Sequence, residues 1–196
     1  GVTITEILVE QCRKPQGRLG VVMTRIMNRM DAGLVEWALQ KTSNVSGGIL
    51  EVGCGGGETI RRFTKKHRQL QIDGIDYSED AVKLAIRKNR VLVKAGSVKI
   101  QQADVERLPF QNEKFNTILA IRTHYFWEHL EAAFTELFRV LKPQGELLVF
   151  SEMFKIQYHM DEFNTDETLT ELLYKVGFQT VSCERKKDCL CISVVK

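Results

Sequence analysis

The sequence predicts an α/β fold: a mostly parallel sheet with helices on both faces and one antiparallel strand. From residue 48 onward, short apolar runs alternate with amphipathic stretches, and alternating strands and helices form a parallel sheet through right-handed crossovers. The last two apolar runs, 178–183 and 189–195, are joined by a connection too short for a crossover, so we expect a hairpin. The length of 196 residues fits one compact domain.

The N-terminal part of the chain is predicted to be helical. Apolar residues recur at helical spacing from Leu19 to Met30, and Trp37 continues the pattern. We therefore expect residues 1–44 to form a helical lid or cap segment, and residues 45–196 to form the main domain.

Strands and helices alternate through the main domain. Residues 48–52 are apolar and end at a glycine cluster, which indicates a strand. Ser78 is placed to cap a helix by accepting a backbone N–H, and Gly177 is expected to end the last helix. Further strands are predicted at 70–76, 99–103, 116–121 and 146–151, and helices at 58–66, 79–90, 130–141 and 168–176. No strand or helix is predicted for residues 153–165.

Composition and charge exclude several classes of protein. Hydrophobic residues make up 43% and charged residues 27%, as in globular proteins, and the net charge of +3 is too small for a dedicated nucleic-acid binder. The five cysteines are odd in number and follow no disulfide framework, which favours free thiols and a cytoplasmic location. Neither a membrane-spanning run nor a signal peptide is apparent, so no membrane partner is expected. The oligomeric state is not predicted.

The strongest functional signal is the run Glu-Val-Gly-Cys-Gly-Gly-Gly at 51–57, between a strand and a helix. Its glycines allow a tight turn and a close approach of backbone to ligand. Ligands of open parallel sheets bind at such turns. A dinucleotide fingerprint requires glycine where this chain has Glu58, whose carboxylate would oppose a pyrophosphate. The loop is therefore typical of a ligand without phosphates, with a simple tight turn as the alternative.

Acidic residues end the next two predicted strands. Asp76 lies 19 residues past Gly57 and is suited to accept hydrogen bonds from ribose hydroxyls. Asp104, followed by the apolar Val105, is suited to an adenine amino group and ring. Each acid alone is more often an ordinary loop residue, but together, at successive strand ends, they select an adenosine.

Four motifs occur along the chain in the order 51–57, 74–78, 103–110 and 137–149. Together they resemble class I S-adenosylmethionine-dependent methyltransferases, most closely the small-molecule branch that includes the ubiquinone and menaquinone biosynthesis enzymes. The resemblance covers residues 45–195 and implies a Rossmann-like, seven-stranded sheet with a reversed last strand and S-adenosylmethionine as methyl donor.

The resemblance also implies the cofactor-binding residues. Two positions depart from the family pattern, since Glu51 and Asn116 stand where Asp is commoner, but neither removes a group that the chemistry requires. Carried over by position, the implied residues are Glu51, Gly53 and Gly55 at the methionine end, Asp76 at the ribose, Tyr77, Asp104 and Val105 at the adenine, and Ile121 and Arg122 beside the cofactor.

Residues after the fourth predicted strand are expected to begin the acceptor pocket. His124 is the candidate general base, because imidazole titrates near neutral pH, and Tyr125 is the second candidate catalytic residue. Tyr125, Phe126 and Trp127 are candidates for an aromatic wall against the substrate, although packing of Phe126 and Trp127 in the core is an equal alternative. The acids at 161–166 are interpreted as a solvated loop, and no metal is expected.

The sequence thus predicts an enzyme that transfers a methyl group to a small-molecule acceptor in line and releases S-adenosylhomocysteine. Residues 13–20 are expected to fold over the cofactor as a lid, or else to form a plain capping loop. One alternative function is an RNA methyltransferase, because basic runs occur at 61–62, 65–68 and 185–187. Their scatter fits solvated helix faces better, so a nucleic-acid partner is not expected. The other alternative is a non-catalytic cofactor- or partner-binding module, which the intact glycines and acids disfavour.

Overall fold

The computed structural model describes residues 1–4, 6–7 and 17–196. The chain divides into two compact units, Gly1–Lys41 and Thr42–Lys196. The first unit contains helix α1 (Gly17–Lys41). The predicted lid segment 13–20 lies partly outside the described residues, and its role stays a prediction. Within the described residues, no helix combines the length and apolarity needed to cross a bilayer.

The second unit, which is described throughout, alternates strands and helices as predicted. A short 3-10 helix, His124–Phe126, follows the fourth strand. The elements are β1 (Gly48–Val52), α2 (Glu58–Lys66), β2 (Gln71–Asp76), α3 (Glu79–Lys88), α4 (Arg90–Lys94), β3 (Val98–Gln102), β4 (Phe115–Ile121), α5 (Leu130–Val140), β5 (Leu141–Glu152), α6 (Met153–His159), α7 (Asp166–Val176), β6 (Thr180–Lys186) and β7 (Cys189–Val195).

All seven strands join one sheet in the order β3-β2-β1-β4-β5-β7-β6. Strand β7 runs antiparallel to both of its neighbours, β5 and β6, and the other neighbouring pairs are parallel. The predicted Rossmann-like fold with its terminal hairpin is therefore confirmed.

Both faces of the sheet are covered. Ile118 and Leu119 are neighbours on β4, so their side chains point to opposite faces, and both are fully buried. On the face that Ile118 shares, Phe134 of α5 and Leu173 of α7 belong to one large apolar cluster. This covering leaves the two edges of the sheet, where the strands begin and end, as the open parts of the unit.

Four elements differ clearly from their predictions, and the first is β6, which was predicted at 178–183 and spans Thr180–Lys186. The helix predicted at 79–90 ends at Lys88, because the side chain of Asn89 donates to the carbonyl oxygens of Gly57 and Ala85, both at 3.0 Å. Strand β5 begins five residues before the predicted position, at Leu141, and its register shifts where Gln144 has a φ of +66°. The stretch after β5 begins with helix α6, for which no helix was predicted. No side chain caps its N-terminus, so the sequence lacks the usual signal for a helix start.

The capping predictions hold. Oγ of Ser78 accepts from the backbone N–H of Ala81 at 3.2 Å and starts α3. Gly177 ends α7, where its φ of +129° lies in a region that residues with a side chain rarely adopt.

Candidate functional site

A cavity of about 540 Å³ lies at the carboxyl-terminal ends of the strands, and we name it the carboxyl-edge cavity. Its walls come from segments that follow β1, β2, β3 and β4. The strand order reverses at β1, which lies between β2 and β4, and open α/β sheets bind ligands at such points. Six of the predicted site residues line the cavity: Gly53, Asp76, Tyr77, Asp104, Val105 and Arg122.

The glycine loop, Gly53–Gly57, crosses the edge of the sheet between β1 and α2. The amides of Gly53 and Cys54 donate to the carbonyl oxygen of Ile75 at 2.9 and 3.0 Å, so the loop is fixed to β2. A Cβ on Gly53, whose φ is +73°, would stand 2.5 Å from Oγ1 of Thr123. This close approach to the cavity wall requires glycine.

The carboxylate of Asp76 is held in one orientation by two backbone amides. Oδ2 accepts from the N–H of Gly55 at 2.8 Å, and Oδ1 accepts from the N–H of Ser78 at 2.9 Å. Each carboxylate oxygen retains capacity for a further hydrogen bond. A Cβ on Gly55 would meet no atom within 4 Å, so open space adjoins this carboxylate. The arrangement suits a ligand that carries two neighbouring hydroxyls.

Asp104 and two exposed aromatic rings form the next part of the cavity wall. Oδ1 of Asp104 accepts from the N–H of Glu106 at 2.9 Å. Val105 is buried beside it. The rings of Tyr77 and Phe126 are 79% and 65% exposed although they line a cavity. Exposed aromatic surface of this kind is available to stack on a flat ligand.

Glu51 lies behind the glycine loop at the end of β1, and its side chain is buried. Burial raises the pKa of Glu51 to about 8, with the Arg122 guanidinium opposing the shift and the Asp76 carboxylate adding to it. Arg122 itself has a φ of +55°, a strained conformation of the kind found at functional sites. Its N–H donates to the carbonyl oxygen of Phe150 at 2.8 Å, which holds the strained turn in place.

The balance of charge in the carboxyl-edge cavity is negative. Four carboxylates oppose one guanidinium, that of Arg122, among its described lining residues. Such a wall attracts a cation and repels a phosphate ester, in agreement with the sequence-based interpretation of the loop. The acids are Asp76, Asp104, Glu106 and Glu128.

Comparisons with known proteins agree with this geometry. A family model described as a methyltransferase domain matches residues 49–145. YrhH of Bacillus subtilis, named as a methyltransferase, is 29% identical over 148 residues, which cover 76% of this chain and 77% of YrhH. An O-methyltransferase of Pyrenophora dematioidea is 28% identical over 152 residues, which cover 69% of this chain and 55% of that protein.

The structural comparison shows the same fold in a solved structure. The crystal structure of a protein from Methanococcus maripaludis, described as an S-adenosyl-L-methionine-dependent methyltransferase, matches with a TM-score of 0.71. The match covers 91% of this chain and 92% of that one at 17% identity. Residues 49–145 belong to a methyltransferase-domain family, and the chain has the fold of the class I S-adenosylmethionine-dependent methyltransferases.

The residues of this methyltransferase fit its cofactor. S-adenosylmethionine carries a sulfonium and an ammonium group but no phosphate, so an acid-rich wall attracts it. The oriented carboxylate of Asp76 has accepting capacity for the ribose, and the space at Gly55 would be filled by any side chain. Ile121 is buried at the end of β4, directly before Arg122.

The two predicted catalytic residues lie outside the cavity wall of the methyltransferase. His124 is fully buried, its Nδ1 is 2.9 Å from Oγ of Ser151, and burial lowers the pKa of His124 to about 4. The imidazole is therefore neutral at physiological pH. Tyr125 is buried too, and its ring stacks on His159 with centroids 5.4 Å apart. This geometry favours a structural role for both and gives no support to His124 as a general base.

Several lining residues were not predicted from the sequence. Thr123 faces Gly53, and Glu106 and Glu128 add charge at the cavity wall. Oε1 of Glu106 lies 2.7 Å from Nδ1 of His129. In the described part of the chain, Glu106, Glu128 and His129 form the one group close enough to share a metal ion. No spacing rule marks this trio, because the fold alone brings it together.

The aromatic residues after β4 show both of the predicted roles, lining a cavity and packing in the core. Phe126 and Trp127 both line the cavity, as the binding interpretation requires. Trp127 also packs edge-on against Phe134, with ring centroids 5.4 Å apart, so it belongs to the core as well. Phe126 is the more exposed of the two and offers the larger surface to a ligand.

Proposed function

We propose that this methyltransferase binds S-adenosylmethionine in the carboxyl-edge cavity and methylates a small molecule. The observation that carries the proposal is a wall of four carboxylates, one of them the fixed Asp76, next to a glycine loop. The fungal relative named an O-methyltransferase supports a hydroxyl-bearing acceptor as the first class to assay.

Each part of the cofactor is assigned to particular residues of the cavity. Asp76 accepts from the ribose hydroxyls, since its two oxygens are already aimed by backbone amides. Asp104 and Val105 take the adenine, with the exposed ring of Tyr77 against its face. Glu51 lies beneath the glycine loop and provides a carboxylate for the cationic methionine end.

The protein contributes orientation and the exclusion of water. Bound S-adenosylmethionine supplies an electrophilic methyl group, so the acceptor requires in-line placement more than acid–base help. Phe126 and Trp127 present apolar surface on the side of the cavity that follows β4. This surface displaces water and holds the acceptor against the reacting group. No step requires His124, which is buried behind this wall.

The absence of an inserted substrate domain supports a small acceptor. Between Thr42 and Lys196, every described element belongs to the sheet, its covering helices or their connections. We expect short segments, 123–129 and 153–165, to form the walls around the acceptor, and the lid role of the N-terminal segment stays a separate prediction. Thin walls of this kind enclose a small molecule but provide little area for a protein interface.

Cofactor binding is tested first by calorimetry. We expect Asp76→Ala to weaken S-adenosylmethionine binding at least about tenfold, because a charge-assisted contact is lost. Asp80→Asn, which removes a charge from the exposed first turn of α3, is the matched control and is expected to bind normally. Equal affinity of Asp76→Ala and the wild type would refute the ribose assignment.

Methyl transfer is tested with a panel of phenols, thiols and amines, followed by mass spectrometry. We expect one small-molecule class to be methylated with stoichiometric release of S-adenosylhomocysteine. Faster methylation of RNA than of every small molecule, with a steep loss at high salt, would replace the small acceptor by the RNA alternative. Cofactor binding without any methylated product would instead favour a binding module.

A further inference from the structure

A second cavity, of about 480 Å³, lies at the opposite edge of the sheet. Leu70 and Ser97 form part of its wall and immediately precede β2 and β3, so the cavity opens where these strands begin. Strand β2 has six residues, and a rise of about 3.3 Å per residue separates the two edges by about 20 Å. The described lining residues of the two cavities do not overlap.

The wall of this cavity, which we name the basic cavity, is strongly cationic. Six permanently charged side chains and His67 line it, and its described lining residues include no acid. The sequence separates these residues into two groups, and the first group was interpreted as a solvated helix face. The fold joins the groups across the ends of α2 and α3. The six residues are Arg61, Lys65, Arg68, Arg87, Lys88 and Arg90.

Counter-charges for these cations are few. Glu58 pairs with Arg61 at 2.6 Å and with Lys88 at 3.3 Å. These contacts hold the pKa of Glu58 down to about 2, so its charge is present at every physiological pH. In the part of the chain that the structure describes, the remaining four cations form no ion pair: Lys65, Arg68, Arg87 and Arg90.

This clustering of like charges carries an energetic penalty for the ligand-free protein. Most protein surfaces intersperse the two signs of charge, because neighbouring cations repel each other. A bound anion would remove the repulsion and add charge-assisted hydrogen bonds. Arginine guanidinium groups bind phosphate oxygens in pairs of parallel hydrogen bonds. The composition of the wall therefore favours an anion with several phosphate groups.

The shape and the neutral lining residues favour a small ligand over a polymer. A volume of about 480 Å³ lies within the usual range of about 300–1,000 Å³ for small-molecule sites. Thr64 and Asn89 add polar groups, and Nε2 of His67 is buried with no hydrogen-bond partner among the described residues. The described lining holds no Phe, Tyr or Trp, whereas single-stranded nucleic acids bind by stacking on such rings.

We propose that the basic cavity binds a small molecule carrying two or more phosphate groups. The site lies away from the carboxyl-edge cavity, so it serves as a second ligand site and not as the place of methyl transfer. The proposal is independent of the proposed acceptor, because it rests on the charge and shape of a different part of the unit.

The experiment uses inorganic tripolyphosphate as the probe, with binding measured by calorimetry at low and at high salt. The test variant is the double charge reversal Arg68→Glu with Arg90→Glu. The matched control is Lys142→Glu with Lys186→Glu, which changes the net charge equally at exposed positions outside both cavities. Binding of S-adenosylmethionine is measured for all proteins, as a check on folding.

We expect the wild type and the control to bind tripolyphosphate, with an affinity that falls as salt screens the charges. The test variant is expected to lose at least about tenfold in affinity while keeping its affinity for S-adenosylmethionine. Absence of binding to the wild type, or an equal loss in the control, would overturn the proposal. Much tighter binding of a short oligouridylate, or of phosphatidylserine vesicles, would overturn it in favour of a nucleic-acid or membrane surface.

Discussion

Binding of the cofactor is expected to release a proton from Glu51. Burial gives the Glu51 carboxyl a pKa of about 8 in the ligand-free protein, so at pH 7 about nine molecules in ten carry this proton. A cationic ligand next to Glu51 favours the ionised form and lowers its pKa. Affinity for S-adenosylmethionine should therefore rise with pH up to about 8.

The size of the effect depends on how far the ligand lowers the pKa of Glu51. A fall of one unit from about 8 gives about a fivefold gain in affinity between pH 6 and 8, and a fall of two units gives about 25-fold. Substitution by Gln keeps the shape of the protonated side chain and removes its titration. We expect Glu51→Gln to show an affinity independent of pH over this range.

The proton is counted by calorimetry at pH 7 in phosphate and in Tris, whose ionisation enthalpies differ. The wild type should release between about 0.4 and 0.9 protons for falls of one to three units in the pKa of Glu51. Glu58→Gln is the control, because Glu58 is already ionised, with a pKa of about 2. The reasoning is refuted if the wild-type enthalpy is the same in both buffers, or if Glu51→Gln releases as many protons as the wild type.

The same raised pKa makes a prediction about stability. The folded protein holds the Glu51 proton more tightly than the unfolded chain, whose carboxyl has the ordinary pKa of 4.5. The contribution of Glu51 to the free energy of unfolding is complete below pH 4.5 and is lost as pH rises through about 8. Urea titrations should show this decline in the wild type and a flatter profile in Glu51→Gln; parallel profiles would contradict it.

Three further predictions concern the framework of the site. Gly53→Ala should lower the free energy of unfolding by about 1–3 kcal/mol, because its Cβ would meet Thr123 at 2.5 Å; an unchanged urea midpoint would contradict this. Asn89→Ala should cost about 1–3 kcal/mol, since the buried carbonyls of Gly57 and Ala85 each lose one of two hydrogen-bond donors; a cost under about 0.5 kcal/mol would contradict a contribution from these hydrogen bonds. Deletion of residues 1–18 should abolish turnover and preserve cofactor affinity, whereas full-rate methylation by the truncated protein would disprove the lid.

Local sequence signals predicted much of the site. The glycine loop could be found because positive φ angles and close approaches demand glycine, and Gly53 shows both. Asp76 could be found because it follows a buried strand at a fixed spacing. Ser78 could be found because a cap is a contact between residues three apart in sequence. Each of these signals lies within one strand–loop–helix step.

Features that depend on distant contacts escaped prediction. Nothing in the neighbourhood of His124 shows that Ser151 and the core will enclose it and depress its pKa. Asn89 interrupts a helical pattern because of a partner 32 residues earlier, Gly57. The basic cavity needs two helix ends to meet. Composition shows that the cations exist, but only the fold determines that they face a common space.

The double attachment of Asp76 links the binding site to the architecture of the unit. One carboxylate joins the amide of Gly55, in the glycine loop, to that of Ser78, at the start of α3. The carboxylate that we propose as the ribose acceptor is therefore already fixed by the fold, so cofactor binding would lose little freedom in ordering it. An amide at this position would turn a donor toward one of the two amides, so Asn is a poor substitute.

It follows that a substitution of Asp76 changes ligand affinity and local stability together. Any change of Asp76 loosens two turns and, under the proposed assignment, also removes a ligand contact, so a measured loss of affinity would contain a contribution from the protein's own disorder. Variation that adapts the methyltransferase to new acceptors must therefore leave this carboxylate intact. Such variation is expected instead at the exposed surface around Phe126, where none of the described residues holds two turns together as Asp76 does.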